Sequence, residues 1–335
     1  MHWYVVRRIA LMVPTLLGMT VVVFTLTRVV PADPARAAAG IAATEATVEA
    51  LRHELRLDRP LPVQYVWYLR GLLKGDLGRS MYSGRLVSQE IVKYIPATTE
   101  LALVAFFMLC LIGVPLGIFA AARQGRVLDV ASRGLAIGTA AFPVFWLGLV
   151  LQFVFFYRLR LLPLIGRTTT VALAPREITG MYLVDALLTQ NWTALVDTLR
   201  HMILPVLTLV ASRIGIVVRL TRVCVFDELE QDYVRTARAK GLGNSRVLAK
   251  HALRNAAVPI ITELGMQFSW LLAGSAVVES IFVWPGVGLY ALRSIVMLDF
   301  NPIMAFTLIA TFAFLVSNLV VDLTYALANP RVRLE

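Results

Sequence analysis

Charged residues are scarce in this sequence of 335 residues: 16% are Asp, Glu, Lys or Arg, whereas 58% are hydrophobic. There are two cysteines, and the four histidines lie far apart along the chain. Cys110 lies inside an apolar run and Cys224 lies beside a basic segment, so we expect no disulfide between them. The scattered histidines offer no metal site.

A second absence concerns nucleotide binding. The pattern GxxxxGK[ST], whose backbone N–H groups cradle phosphates, does not occur in the chain. We therefore expect that the chain binds no ATP, has no cofactor of its own and is not an enzyme. If the chain takes part in ATP-driven work, the ATP must be bound by another protein.

The sequence has few charged residues and contains several long apolar runs. The mean hydropathy is +0.73, and a helix of about 20 apolar residues spans the hydrocarbon core of a bilayer. Such runs occur at residues 9–30, 97–122, 132–157, 202–222, 258–283 and 303–327. They predict an all-α membrane protein with six transmembrane helices. Two pairs of glycines with small-xxx-small spacing, Gly113 with Gly117 and Gly134 with Gly138, predict close helix packing.

The first apolar run raises the question of a signal peptide, because Arg7 and Arg8 precede it and small residues follow it. At about 22 residues it is longer than the core of a signal peptide. We interpret residues 1–30 as the N-terminus and an uncleaved first helix. Residues 31–95 are polar and mixed and predict a small external domain, and residues 96–335 contain the other five helices.

The predicted external domain contains one pair of residues with a possible chemical meaning. His53 and Asp58 have the His-x4-Asp spacing of some acyltransferases. Such a pair at a fixed spacing often arises by chance, and a membrane-embedded enzyme would need several polar residues converging at one depth. Catalysis is therefore the weaker interpretation of this pair.

The net charge of +11 raises the possibility of nucleic-acid binding. However, no compact basic and aromatic domain stands apart from the apolar runs, so we expect no nucleic acid. With the N-terminus inside, the predicted cytoplasmic segments carry Lys and Arg at roughly twice the density of the external ones. The charge thus predicts that both termini are cytoplasmic and that the chain contacts anionic membrane lipids.

The most polar cytoplasmic segment is the basic loop, which we define as residues 226–257. Within it, Asp232 can cap a short helix and Gly241 can end that helix in the left-handed conformation. A second helix is predicted from Asn244, with one apolar and one basic face. A bent pair of this kind suits docking into a cleft of a second protein. The alternative is a loop that only orients the chain or touches anionic lipid.

The amino-acid sequence of the basic loop resembles that of a known family. RTARAKGL followed by HALRNA is similar to the cytoplasmic EAA loop of ABC importer permeases, in the branch that carries dipeptides, oligopeptides and nickel. Gly241 holds the Gly of the general pattern, whereas Arg235, Thr236 and Ala237 stand in place of Glu-Ala-Ala. These departures match the peptide branch.

The resemblance continues along nearly the whole chain. GDLGRS in residues 75–87, the later PLIGR and the terminal VDLTYALANPRVR are similar to dipeptide permeases. Trp284, Pro285 and Gly286 resemble the FxWPGxG turn of the same family, for which we expect a structural role. The implied fold is that of a type I ABC importer permease in the bacterial cytoplasmic (inner) membrane.

The resemblance also implies a larger assembly. A second homologous permease subunit would complete the pathway, two ABC ATPase subunits would bind ATP and Mg, and a periplasmic or lipid-anchored solute-binding protein would deliver the substrate. Closure of the ATPase pair would move the basic loop and drive alternating access. The residues implied in coupling are Tyr233, Arg235, Thr236, Ala237, Arg238, Ala239, Lys240, Gly241 and Leu242.

Charged residues inside the apolar runs are costly and need a partner or a function. Arg213 and Glu279 are candidates for the substrate pathway, where Arg213 would meet a peptide carboxylate. Alternatively, Arg213 pairs with Glu263 or Glu279. Asp322 is expected to have a structural role in an ion pair with an arginine near the cytoplasmic surface.

The substrate is the least determined feature. Dipeptides are favoured because the predicted external segment at residues 160–200 is long and its sequence is similar to that of dipeptide permeases. Nickel chelates, glutathione and oligopeptides remain alternative substrates. A self-contained secondary transporter is the alternative from another class. It would show an internal repeat, broken helices at matching positions or more paired charges in the membrane, and none is evident.

Overall fold

The computed structural model describes residues 2–29, 34–39, 43–54 and 57–328. In this part of the chain the regular structure is helical, apart from one isolated bridge between Arg79 and Leu86. Parts of the predicted external domain and the tail 329–335, with the end of the VDLTYALANPRVR wording, lie outside the described residues.

The helices follow the chain from one apolar run to the next. In order they are α1 (His2–Val29), α2 (Pro34–Ala39), α3 (Glu45–Glu54), α4 (Leu61–Leu73), α5 (Val87–Ala122), α6 (Val127–Ala141), α7 (Val144–Leu151), α8 (Tyr182–Leu188), α9 (Trp192–Leu229), α10 (Asp232–Ala239), α11 (Asn244–Arg246), α12 (Leu253–Gly274), α13 (Ala276–Ile281), α14 (Val287–Val296) and α15 (Phe300–Ala328). π-Helical turns at Gln152–Arg158 and Val247–Ala252 extend α7 and join α11 to α12. A 3₁₀ turn lies at Val171–Leu173.

Within the described residues, five helical segments are long and apolar enough to cross a membrane. They are Val6–Arg28, Val87–Ala122, Trp192–Leu229, Asn244–Ile281 and Phe300–Thr324. A sixth span results if the bent pair α6 and α7 is counted as one. The prediction of an all-α membrane protein with apolar spans at these places is confirmed.

The third predicted span, residues 132–157, is not one continuous helix. The segments Val127–Thr139 and Val144–Arg158 are bent by 102° relative to each other. Phe142 between them is extended, with φ −107° and ψ 132°, and Pro143 precedes the first turn of α7. A proline disfavours the helical conformation in the residue before it, so Pro143 ends α6 although the apolar run continues.

Helices α5 and α9 form the centre of the bundle. Leu101, Leu109 and Leu209 are completely buried in the core that surrounds their contact. The two helices approach closely because a Cβ atom on Gly117 would lie 2.6 Å from the Cβ of Thr221. The close packing predicted for the first glycine pair is therefore confirmed.

The second glycine pair behaves differently. No atom lies within 4 Å of the position that a Cβ atom would take on Gly134 or Gly138 of α6. The packing predicted for this pair is not met within the described part of this chain. The spacing of two glycines therefore does not by itself show whether that face of a helix contacts another helix.

Helix α4 packs its aromatic residues against the C-terminal half of α1. The hydroxyls of Tyr65 and Thr20 lie 2.8 Å apart, and the Phe24 ring contacts the rings of Tyr65 and Tyr68. Burial, followed by the neighbouring Tyr65, raises the pKa of Tyr68 to about 12. These contacts attach the middle of the polar segment to the bundle, while a separate external domain remains a prediction.

Candidate coupling site

The first half of the basic loop is an exposed basic helix. Gln231 is the N-cap residue of α10 and makes no side-chain capping bond, so the capping role predicted for Asp232 is wrong. Asp232 lies in the first turn instead, where it forms an exposed ion pair with Arg235 at 3.3 Å. Six of the predicted coupling residues are solvent-exposed on this helix and its C-cap: Tyr233, Arg235, Thr236, Arg238, Ala239 and Lys240.

Gly241 ends α10 as the sequence predicts. Its φ is +82°, the left-handed region that glycine adopts without steric cost. The N–H of Gly241 donates to the carbonyl of Arg238 at 2.9 Å, and the N–H of Leu242 donates to the carbonyl of Ala237 at 3.3 Å. These two bonds form a Schellman motif, which fixes the direction in which the chain leaves the helix.

A small apolar cluster holds the two halves of the basic loop together. Val234, Ala237 and Val247 are buried in it, and Leu229 and Leu242 pack against it. Ala237 and Leu242, which the resemblance implies in docking, thus already have partners within the loop. The surface that remains free for a second protein consists of the exposed side of α10 and Gly241.

The second half of the basic loop continues directly into the fifth span. The helix predicted from Asn244 begins there as α11, passes through the π-helical turn at Val247–Ala252 and becomes α12. Ala252 and Ala256 are buried, as the predicted apolar face requires, but Ala249 is exposed. The basic loop and the fifth span therefore form one continuous helical path.

A hydrogen-bonded triad ties the loop to the fourth and fifth spans. The Tyr233 hydroxyl donates to the Glu228 carboxylate of α9 and accepts a hydrogen bond of 3.0 Å from the Asn255 amide of α12. Burial, together with the bond to Glu228, raises the pKa of Tyr233, so its hydroxyl keeps its proton at neutral pH. The sequence implied a role for Tyr233 but gave no sign of its partners.

The Trp-Pro-Gly turn folds over Glu279. The Trp284 indole donates to the carbonyl of Ala97 at 2.9 Å, and Glu279 accepts hydrogen bonds from the hydroxyls of Thr98 at 2.7 Å and Ser275 at 2.9 Å. The N–H of Leu289 donates to the same carboxylate at 2.9 Å. Glycine is required in the turn because a Cβ atom on Gly286 would lie 2.4 Å from the carboxylate.

Glu279 therefore lies in a closed polar centre. It is completely buried, so it has no surface from which to meet a solute in this chain. Its donors come from α5, from α14 and from Ser275 between α12 and α13, which makes it a junction between helices. The pathway role predicted for Glu279 remains untested, but this geometry favours a structural one, as expected for Trp284, Pro285 and Gly286.

Arg213 occupies the middle of α9 and stacks on an aromatic ring. Its guanidinium carbon lies 3.1 Å from the centre of the Trp270 ring. Glu263 accepts a hydrogen bond of 2.6 Å from Gln267 and acts on Arg213 through space only. A direct ion pair of Arg213 with Glu263 or Glu279 is thus not formed among the described residues. A cation on an aromatic face is stabilised without a counter-ion.

Comparison with known proteins identifies the family. Residues 113–334 match the model of the binding-protein-dependent transport system inner membrane component, and residues 1–102 match that of the N-terminal part of such membrane components. The chain belongs to this family. The resemblance seen in the basic loop is confirmed, and the permease is an inner membrane component.

Three relatives show how far the similarity reaches. The probable D,D-dipeptide transport system permease protein DdpB of Escherichia coli (strain K12) is 43% identical over 315 residues, which cover 94% of this chain and 93% of the relative. The dipeptide transport system permease protein DppB of the same strain is 36% identical over 98% of both chains. The glutathione transport system permease protein GsiC of Pectobacterium atrosepticum is 38% identical over 98% of both.

The permease contains a buried ion pair that the sequence did not indicate. Arg167 donates to Glu100 at 2.6 Å and to the carbonyl of Gly180 at 3.0 Å, and its guanidinium stacks on the Tyr182 ring. The N–H of Leu183 donates to the other oxygen of Glu100 at 2.6 Å. The segment between the third and fourth spans, which contains Arg167, is thereby fixed to α5.

In the permease, a second buried carboxylate lies where α6 packs against α9. Asp129 is 1% exposed and accepts hydrogen bonds from Arg222, from Arg133 at 3.3 Å and from the N–H of Gly125 at 3.0 Å. Arg222 is about two helical turns before the end of the fourth span at Leu229, close to the basic loop. This contact links that end of α9 to the bent third span.

The remaining predicted residues of the permease have simpler surroundings. Asp322 pairs with Arg8 at 3.0 Å, which confirms that it pairs with an arginine. His53 lies 3.1 Å from Asp58 in an exposed position. Among the described residues, no group of three or more His, Cys, Asp or Glu side chains is placed to hold a metal ion.

Proposed function

We propose that this chain is a permease subunit of an ABC importer that translocates dipeptides or short peptides by alternating access. The observation that supports this proposal best is the exposed basic helix α10, which is attached firmly to the fourth and fifth spans. The similarity to peptide transport permeases over nearly the whole chain supports the choice of solute.

The energy for transport would come from partner proteins. The chain lacks the phosphate-cradling sequence pattern, so ATP and Mg would be bound by two ABC ATPase subunits below the basic loop. A second homologous permease subunit would complete the pathway. A periplasmic or lipid-anchored solute-binding protein would deliver the peptide from outside, with both termini of this chain in the cytoplasm and membrane lipids around it.

Coupling would proceed through the rigid elements around the loop. When the ATPase pair closes, the exposed residues of α10 move with it, and the triad of Glu228, Tyr233 and Asn255 passes the displacement to both spans. The Schellman motif at Gly241 keeps the angle between the loop helices constant. The fourth and fifth spans would then tilt together and open the pathway to the outside.

Glutathione import is the second candidate function, because a glutathione permease is 38% identical over nearly the full length. Glutathione is itself a small peptide, so the same pathway chemistry would suit it. Nickel chelates and oligopeptides remain alternatives within the same mechanism.

Uptake by cells tests the proposal. We would express the chain with its partner subunits in cells without peptide transporters and measure ATP-dependent uptake of radiolabelled alanyl-alanine, D-alanyl-D-alanine and glutathione. The proposal predicts uptake of at least one dipeptide that is lost when this chain is omitted. Uptake of glutathione alone would favour the second candidate, and no uptake of any peptide would refute peptide import.

A further inference from the structure

A cavity of about 500 Å³ lies where the first turn of α5, the Trp-Pro-Gly turn and α14 meet. Its walls include Glu90, Tyr94, Pro285, Leu289, Tyr290 and Arg293. The size falls within the range of roughly 300–1,000 Å³ that is typical of small-molecule sites. The basic loop lies at the other ends of the spans and has no part in this cavity.

One face of α14 forms a wall of the cavity. Tyr290, Arg293, Ser294 and Met297 line it. Arg293 and Ser294 each lie three or four positions from both Tyr290 and Met297, so the four residues share one face of the helix and its C-cap. This face mixes an aromatic ring, a cation and an apolar side chain. Such a mixture suits a ligand with both charged and apolar parts.

The negative group of the cavity has a free oxygen. Tyr290 donates a hydrogen bond of 2.6 Å to one oxygen of Glu90, and its ring stacks on Tyr94 with centroids 5.1 Å apart. Burial, with a further contribution from Glu90, raises the pKa of Tyr290, so this donor keeps its proton. Among the described residues, the other oxygen of Glu90 has no hydrogen-bond partner.

The positive group of the cavity is also free. Arg293 is exposed, and within the described ranges its guanidinium has no hydrogen bond or ion pair. The third charged residue, Asp299, does not compete for it, because its oxygens accept bonds from the hydroxyl of Ser80 at 2.5 Å and the N–H groups of Met81 and Tyr82. The cavity therefore offers one free carboxylate oxygen and one free guanidinium.

We propose that this cavity binds a zwitterionic peptide, with the peptide ammonium group at Glu90 and the peptide carboxylate at Arg293. Arginine matches the geometry of a carboxylate with two parallel hydrogen bonds, and a carboxylate accepts from an ammonium group. The side chains of the peptide would contact Tyr94, Leu289 and Met297. The inference rests on the proposed function and assigns a substrate-binding site to it.

The test uses the complete transporter in proteoliposomes, with its solute-binding protein and ATP. We would measure the initial rate of tritiated alanyl-alanine uptake for Glu90→Gln, Arg293→Gln and Arg293→Lys. Lys93→Gln is the matched control, because Lys93 is an exposed cation on α5 that does not line the cavity. The yield of purified complex reports whether each variant folds.

We expect Glu90→Gln and Arg293→Gln to lower the rate about tenfold, which corresponds to one charge-assisted hydrogen bond. Arg293→Lys should recover only part of the rate, because lysine keeps the charge but cannot form two parallel hydrogen bonds to the carboxylate. Lys93→Gln should match the wild type. If Glu90→Gln gives too little complex, the comparison of Arg293→Gln with Arg293→Lys decides, because Arg293 is exposed and has no internal partner to lose.

A photocrosslinker placed at Met297 locates the peptide directly. With benzoylphenylalanine at this position, the label of tritiated alanyl-alanine should become attached to the chain during turnover, and the same probe at the exposed Val92 should capture none. Wild-type uptake by both Gln variants, or equal capture at Val92, would overturn the cavity assignment while leaving peptide import intact. No uptake by the wild-type complex would instead refute the proposed function.

Discussion

The buried ion pair of Arg167 and Glu100 shows what single residues contribute to this fold. The two side chains are 8% and 2% exposed, and Arg167 also bonds a backbone carbonyl and stacks on a ring. Desolvation of both charges is costly, so the pair is not a large net source of stability. Its effect is to fix the segment between the third and fourth spans in one position over α5.

A double-mutant cycle tests this assignment. Arg167→Met and Glu100→Leu should each lower the stability of the detergent-solubilised chain by about 3–5 kcal/mol, because each leaves a buried charge without a partner. The stability loss of the double variant should be smaller than the sum of the two single losses. Chemical denaturation followed by tryptophan fluorescence measures all three, with Arg235→Met at the exposed ion pair as a control that should change stability by less than about 0.5 kcal/mol. Additive losses would show that the two side chains do not interact.

Individual partners were the hardest feature to predict from the sequence. Arg8 and Asp322 lie at the ends of spans on one predicted side of the membrane, so pairing of Asp322 with an arginine could be expected. Arg167 and Glu100 are 67 positions apart and belong to different segments, so nothing in their spacing indicates contact. Stacking of Arg213 on Trp270 was missed for the same reason: a costly charge in an apolar run suggests a counter-ion, not a ring.

At the scale of elements, the basic loop combines two features that the sequence predicted and one that it did not. The exposed basic helix and the glycine that ends it follow from charge pattern and turn chemistry. The triad of Glu228, Tyr233 and Asn255 depends on how α9, α10 and α12 meet in space. The bend at Pro143 is an intermediate case, because proline suggests a break but the apolar run gives no angle.

Substitutions at Gly241 can distinguish the cost of backbone strain from steric blocking of the docking surface. Its Cβ position is open, so Gly241→Ala should cost only the strain of a positive φ, about 1–2 kcal/mol. Gly241→Glu adds bulk and negative charge and should leave the protein in the membrane but release or uncouple the ATPase subunits. Gly241→Asn is the control for strain, since asparagine tolerates this conformation. Co-purification of ATPase with each variant and the uptake rate measure the effect, and normal values for Gly241→Glu would contradict a docking role.

The triad is expected to transmit motion and not to bind the ATPase. Tyr233→Phe keeps the ring and removes the hydroxyl that bonds Glu228 and Asn255, so ATPase subunits should still co-purify. Uptake per ATP hydrolysed should fall about fivefold, which corresponds to about 1 kcal/mol for one net hydrogen bond. Simultaneous measurement of uptake and ATP hydrolysis checks this. An unchanged ratio would show that the loop and the spans move together without the triad.

At the scale of the whole molecule, the apolar runs determined the number and order of the spans. Their length against the bilayer thickness is a strong constraint, and five of the six appear as long helices. The helix ends were less predictable, because α9 extends from Trp192 to Leu229, well beyond the apolar run at residues 202–222. A hydropathy profile does not show where a helix continues through polar residues beyond its apolar run.

The orientation predicted from the distribution of Lys and Arg can be tested separately. After replacement of both native cysteines by serine, a membrane-impermeant maleimide should label Tyr82→Cys in intact cells and leave Arg238→Cys unlabelled. Both positions are exposed, so both should react once the membrane is permeabilised. Labelling of Arg238→Cys in intact cells would place the basic loop outside and exclude ATPase docking there.

The central claim is that this chain moves a peptide only when separate ATPase subunits drive the basic loop. The most direct measurement compares accumulation of labelled alanyl-alanine in proteoliposomes that contain both permease chains and the binding protein, with and without the ATPase pair. The account predicts accumulation against the gradient only when the ATPase pair and ATP are both present. Equal accumulation without the ATPase pair would contradict it.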